Sequence, residues 1–69
     1  MNYPDPNKIY RDYKGGLYKV LFISKHTESG EILVNCQSVH FGSYFSRPLD
    51  VWNKPSENGE TRFVLVEDE

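Results

Sequence analysis

Residues 25–32 read Lys-His-Thr-Glu-Ser-Gly-Glu-Ile, KHTESGEI, and the alignment of the segments on either side depends on how this turn closes. Thr27-Glu28-Ser29-Gly30 suits a type I turn whose last residue takes positive φ, a conformation that glycine adopts without steric cost. The pattern predicts a β-hairpin with a three-residue loop in which Thr27 faces Glu31. Phe22 then faces Cys36, Val20 faces Ser38, Ser24 faces Val34 and Tyr18 faces His40. One face collects Tyr18, Val20, Phe22, Ile32, Val34 and Cys36, whereas a slip of one residue mixes them with Asn35 and Gln37. Turn chemistry and apolar alternation select the same pairing.

The second face of this hairpin still carries Leu21 and Ile23, with Leu33 and Val39 on the partner strand, as a strongly curled sheet or barrel requires. Working outward, Tyr10 to Lys14 reads as a strand feeding a Gly15-Gly16 turn, and Ser43 to Arg47 as a fourth strand. Thr61 to Val66 closes the set with Phe63 and Leu65 inward, after a turn marked by Gly59. No segment has apolar spacing of three and four over the length an amphipathic helix needs. The piece RPLDVWN, 47–53, is long enough for one tight turn, with Pro48 at its first position and Leu49 and Trp52 laid over an open barrel end. The expectation is an all-β fold, a small SH3-like barrel of about five antiparallel strands with one short helical turn. Residues 1–7 read as a flexible N-terminal tail, 8–66 as the single domain and 67–69 as an acidic C-terminal tail.

With 69 residues the chain holds at most one domain, and a domain of this size buries only roughly 60% of the surface its unfolded chain exposes. A single cysteine, Cys36, excludes an internal disulfide, and no Cys/His group has zinc spacing. The ten aromatic rings must supply the core area, alone or with help from self-association, so monomer and homodimer are both open. A net charge of −2 gives no long-range field toward nucleic acid or an anionic membrane. No signal segment or membrane span is visible, which together with the lone thiol suggests a cytoplasmic protein.

Several pieces, in order, resemble a mostly bacterial family known only as domain of unknown function 1653. They are YRDYKG at 10–15, YKV at 18–20, KHTESGE at 25–31 and SRPL at 46–49. The resemblance covers Tyr10 to about Phe63. It implies an SH3-like barrel and no established activity, and carries over Tyr10, Arg11, Lys14, Gly15, His26, Glu28, Arg47 and Pro48 as matching positions. The chain departs from the family pattern at Asp12, where members have histidine, at Asn35-Cys36, where they have an apolar residue and tyrosine, and at Phe45, where they have tryptophan.

Catalysis is not expected. In the register above, His26 and His40 lie roughly 13 Å along the sheet from Cys36, far beyond the ~3 Å that a nucleophile and its base require. A thiol on the apolar face reads as a small core group. His26, Glu28 and Glu31 offer a partial ligand set at the hairpin tip, without the further ligands of a stable site, so no metal and no cofactor are expected. The acidic residues fall in tails, turns and strand ends. Arg47, between Tyr44-Phe45 and Pro48, reads either as a planar cation at the barrel mouth or as a brace on Asp50 or Trp52. Two functional readings follow. The first is an interaction module for a protein or peptide, with Tyr10, Arg11, Tyr13, Lys14, Tyr44, Arg47 and Trp52 as candidate ligand-binding residues. The second is a nucleic-acid contact in which Lys8, Arg11, Lys14, Lys19 and Lys25 meet phosphates while Tyr10, Tyr13 and Tyr18 stack on bases.

Overall fold

The hairpin forms where the sequence places it, but one residue out of the expected register next to the turn and two residues out beyond Leu21, where Val20 faces Cys36 and Tyr18 faces Ser38. Gly30 takes the positive φ, 75°. The closing pair, however, is His26 with Glu31, joined by His26 N–H to the Glu31 carbonyl at 2.7 Å. The loop therefore has four residues, 27–30. His26 drives this choice, because its Nδ1 accepts the amides of Glu28 (3.1 Å) and Ser29 (3.3 Å) and its carbonyl accepts that of Gly30 (2.9 Å).

The computed structural model describes residues 3–59 and 61–66, so the 67–69 tail lies outside the described residues. Its elements are β1 (Ile9–Asp12), β2 (Leu17–Lys25), β3 (Ile32–Ser38), β4 (Tyr44–Pro48), α1 (Leu49–Trp52) and β5 (Phe63–Leu65). The strands form one antiparallel sheet in the order β4-β3-β2-β1-β5. This order, with a helical turn between β4 and β5, is the SH3-like connectivity anticipated above. Pro48 precedes the helix as its N-cap rather than opening it.

A one-residue slip should send the core face of β2 to solvent. A bulge at Leu21 prevents that. Ile23 pairs with Val34 on the turn side of the bulge, and Val20 with Cys36 beyond it, so Leu21 is the unmatched residue. Val20 and Ile23, three apart, can then both point inward. Val20 and Val34 are fully buried, Cys36 is buried, and Ile23 and Ile32 pack against the core cluster. The consequence falls on Phe22, expected in the core but ejected to the outer face with 57% of its surface exposed.

Rings complete the core. Trp52 stacks on Phe63 with centroids 3.9 Å apart and planes 1° from parallel, and Tyr10 meets Trp52 edge-on at 5.3 Å. Leu49 is buried beside them. Leu65 shares a face with Tyr10 through their pairing yet stays 48% exposed, because three-residue β5 carries it past the core to the sheet's edge. Within the segment 1–7, expected as a tail, Pro4, Asp5 and Asn7 meet the sheet. Pro4 is buried, Tyr10 Oη accepts the Asp5 amide at 2.9 Å, and Asn7 N–H reaches the Val20 carbonyl at 2.7 Å.

The bulge makes opposite demands on neighbouring residues, which urea unfolding can measure. Val20→Ala should cost about 2 kcal/mol, as a cavity in a closed core does. Phe22→Ser should stay within roughly 0.5 kcal/mol of wild type, as an exposed substitution does. A larger loss at Phe22 than at Val20 would restore the straight-strand register.

Candidate functional site

Hydrogen bonds at the ends of the hairpins fix which backbone groups of β4 are spoken for. Ser38 N–H donates to the Ser43 carbonyl at 2.8 Å, so 38 and 43 form a hydrogen-bonded pair. Antiparallel pairs alternate, and Cys36 with Phe45 and Val34 with Arg47 are the next two hydrogen-bonded pairs. The amides and carbonyls of Phe45 and Arg47 thus point to β3, while those of Tyr44 and Ser46 point to the free edge. Pro48 sits in the same outward phase, where its missing N–H removes nothing from the sheet.

Around this edge lies a shallow depression of about 360 Å³ lined by Leu21, Phe22, Asn35, Cys36, Tyr44, Phe45 and Ser46. Three rings stand open to solvent on it: Tyr44 at 73%, Phe22 at 57% and Phe45 at 43%, with Phe41 in the adjoining turn at 86%. A polar ladder holds the floor rigid. Asn35 Nδ2 donates to Ser24 Oγ at 2.8 Å and Ser46 Oγ donates to Asn35 Oδ1 at 2.7 Å, tying β2, β3 and β4 together. Asn35 is the centre of this ladder.

Arg47 is half-buried and lies over rings, its guanidinium carbon 5.1 Å from the Phe63 centroid and 5.9 Å from that of Tyr18. It braces neither Asp50 nor Trp52 but the rings of Tyr18 in β2 and Phe63 in β5. Its Nε is buried without a hydrogen-bond partner. Burial raises the Cys36 thiol above its ordinary value, and the Arg47 charge partly offsets that. A thiol held protonated is a poor nucleophile.

The other expected site residues are scattered. Tyr10 and Trp52 are more than nine-tenths buried and show only their edges to a separate depression of about 400 Å³, which Tyr3, Pro4 and Arg62 also line. Arg11 and Tyr13 line a third, of about 360 Å³, beside Asp12 and Gly15. Lys14 Nζ and the Arg62 guanidinium flank the Tyr13 ring at 5.7 and 5.3 Å. Asp12 caps this turn by accepting the amides of Lys14 (3.0 Å) and Gly16 (2.8 Å) at Oδ1. Of the rings assigned to base stacking, Tyr10 is buried and Tyr18 packs against the core, which leaves Tyr13. The basic residues separate too, since the bulge reverses the facing of β2 between Lys19 and Lys25. Phe22 and Phe45 belong to the exposed site and were not named from sequence. The alternation of β2 pointed Phe22 inward, and no local signal announces a bulge at Leu21.

Nothing among the described residues points to catalysis. The His26 Nδ1 is engaged by the turn, and no group of three or more His, Cys, Asp or Glu able to hold a metal occurs among the described residues. No described helix is long and apolar enough to cross a membrane.

Connectivity and edge together define a small all-β domain built on an open, SH3-like sheet. Residues 8–64 match the family described as "Protein of unknown function (DUF1653)", and the chain belongs to that family. No curated protein and no solved structure matches it.

The thiol gives a test in alkali. With its folded value raised above the ordinary one by burial, Cys36 keeps its proton in the native state after the unfolded chain has lost it. The native state then binds more protons, and stability is fully present below the unfolded value and falls above it. As the pH rises above about 8.5, wild type should lose more unfolding free energy than Cys36→Ala does, as read by urea titration at each pH.

Proposed function

We propose that this domain is a polypeptide-binding module whose partner segment docks along β4, with Tyr44, Phe45 and Phe22 as the ring contacts. The single observation that supports the reading is the coincidence of a free strand edge with a cluster of exposed rings. A strand edge binds another backbone through its amides and carbonyls, while side-chain pockets beside it supply selectivity. Soluble domains ordinarily blunt such edges, and exposed apolar clusters beside them mark interaction sites. Here the edge is blunted only at its end, by Pro48. Of the sequence-derived candidates, Tyr44 and Arg47 belong to this surface. Tyr10 and Trp52 serve the core, and Arg11 lies in β1 and Tyr13 and Lys14 in the turn after it, with β2 and β3 between them and β4.

Panning a displayed library of random peptides against the folded domain tests the reading. Wild type should enrich extended sequences, and a Tyr44→Ser, Phe45→Ser double variant should lose at least about tenfold in affinity for them, equivalent to roughly 1.4 kcal/mol. Failure of the wild-type domain to enrich any sequence, or enrichment indifferent to the double variant, sinks the proposal.

A further inference from the structure

The strand edge at Tyr44–Pro48 carries its own statement about the charge of what it takes. On the inner side of β4, Arg47 holds a guanidinium fixed over Phe63 and Tyr18, with Nε buried and lacking a hydrogen-bond partner. Arginine cannot shed its charge, and its planar fork matches a carboxylate. No acidic side chain among the described residues pairs with it. Strands β2, β3 and β4 contain Lys19, Lys25 and Arg47 and no acidic residue, although the chain as a whole carries a net −2.

Arg47 also sits at the right phase of the ladder. Its backbone bonds to β3, so on the free side it occupies the non-hydrogen-bonded position, where directly opposite residues bring their side chains closest, about 4.5 Å between Cα atoms. A strand added to β4 therefore places one side chain against the guanidinium.

We propose that the partner segment is acidic: an extended polypeptide that adds as a sixth strand along β4 and sets an Asp or Glu against Arg47. This rests on the polypeptide-binding reading above and names the chemistry of the ligand. The rings Tyr44 and Phe22 take its outward apolar residues, and Ser46 and Tyr44 supply the backbone donors. A second copy of this chain is disfavoured as occupant, because its β4 brings a second Arg47 and no carboxylate. A nucleic acid supplies anions but no alternating backbone donors and acceptors to meet the edge.

The test begins with peptides selected from the random library. Asp or Glu should be enriched at one position of the wild-type selectants. Changing that residue to Gln or Asn should weaken binding about tenfold or more, the worth of one charge-assisted hydrogen bond. With Arg47→Gln the same change should make little difference, the coupling expected of a direct pair. Arg47→Lys, which keeps the charge and loses the fork, serves if Arg47→Gln does not fold. Methylating alternate peptide amides should abolish binding in one phase and spare it in the other. Selectants with no acidic preference, an acidic preference unchanged at Arg47→Gln, or equal effects of the two methylation phases would overturn this inference and leave the module reading standing. Sedimentation of the free domain as a dimer lost on Ser46→Pro, or displacement of the peptide by a single-stranded oligonucleotide, would overturn it in favour of those occupants. An empty selection removes both proposals.

Discussion

The extra residue at Leu21 in β2 is the constraint on which the rest of this structure depends. The His26-capped turn closes one residue early, and a straight β2 paired in that register would point Val20 away from Cys36 and Val34. The bulge restores Val20 to the core while leaving Ile23 inward as well. Its cost is a locally broken ladder and one aromatic ring on the outside. In a chain of 69 residues that cost is appreciable, since few other side chains are available to fill a core. Trp52, Phe63 and Tyr10 make up the area by stacking and edge contact, and α1 exists to bring Trp52 to them.

The division of the rings follows from the same event. Those on β1, α1 and β5 fall on the concave side of the sheet and pack. Phe22 beside the bulge and Tyr44 on β4 fall on the outer face, while Phe45 stays on the inner side against Tyr18 and is half open at the end of the sheet. Arg47 belongs to both sets, with its guanidinium laid on core rings and its backbone in the last strand of the sheet. This links the packing of the core rings to the chemistry of the edge. It also explains why Cys36, beneath the depression, is an inert packing group whose thiol burial keeps protonated.

Much of the fold was legible in the sequence because its signals are local. Gly30 and Gly59 mark turns with positive φ, Pro48 ends a strand and begins a helical turn, and β3 alternates cleanly through Ile32, Val34 and Cys36. The strand set and the helical turn with Leu49 and Trp52 inward followed from these, and the family from the ordered pieces YRDYKG, YKV, KHTESGE and SRPL. The register did not, because the acceptor that selects a four-residue loop is the imidazole of His26, a residue turn rules do not weigh. The exposed site was less legible than the fold. Exposure of Phe22 and Phe45 is decided by a bulge and by the end of the sheet, both products of tertiary pairing. Tyr10, beside Arg11, looks like a surface aromatic in the sequence and is core, and Trp52, expected both over the barrel end and among the ligand-binding candidates, is core alone.

The central claim is that β4 offers one unsatisfied backbone edge in alternating phase. Native-state amide hydrogen exchange of the free domain, read residue by residue by NMR, addresses it directly. Slow exchange at Phe45 and Arg47 with fast exchange at Tyr44 and Ser46 is the expected pattern. Protection at Tyr44 and Ser46 equal to that at Phe45 and Arg47 would mean that the edge is already paired, and would contradict the account.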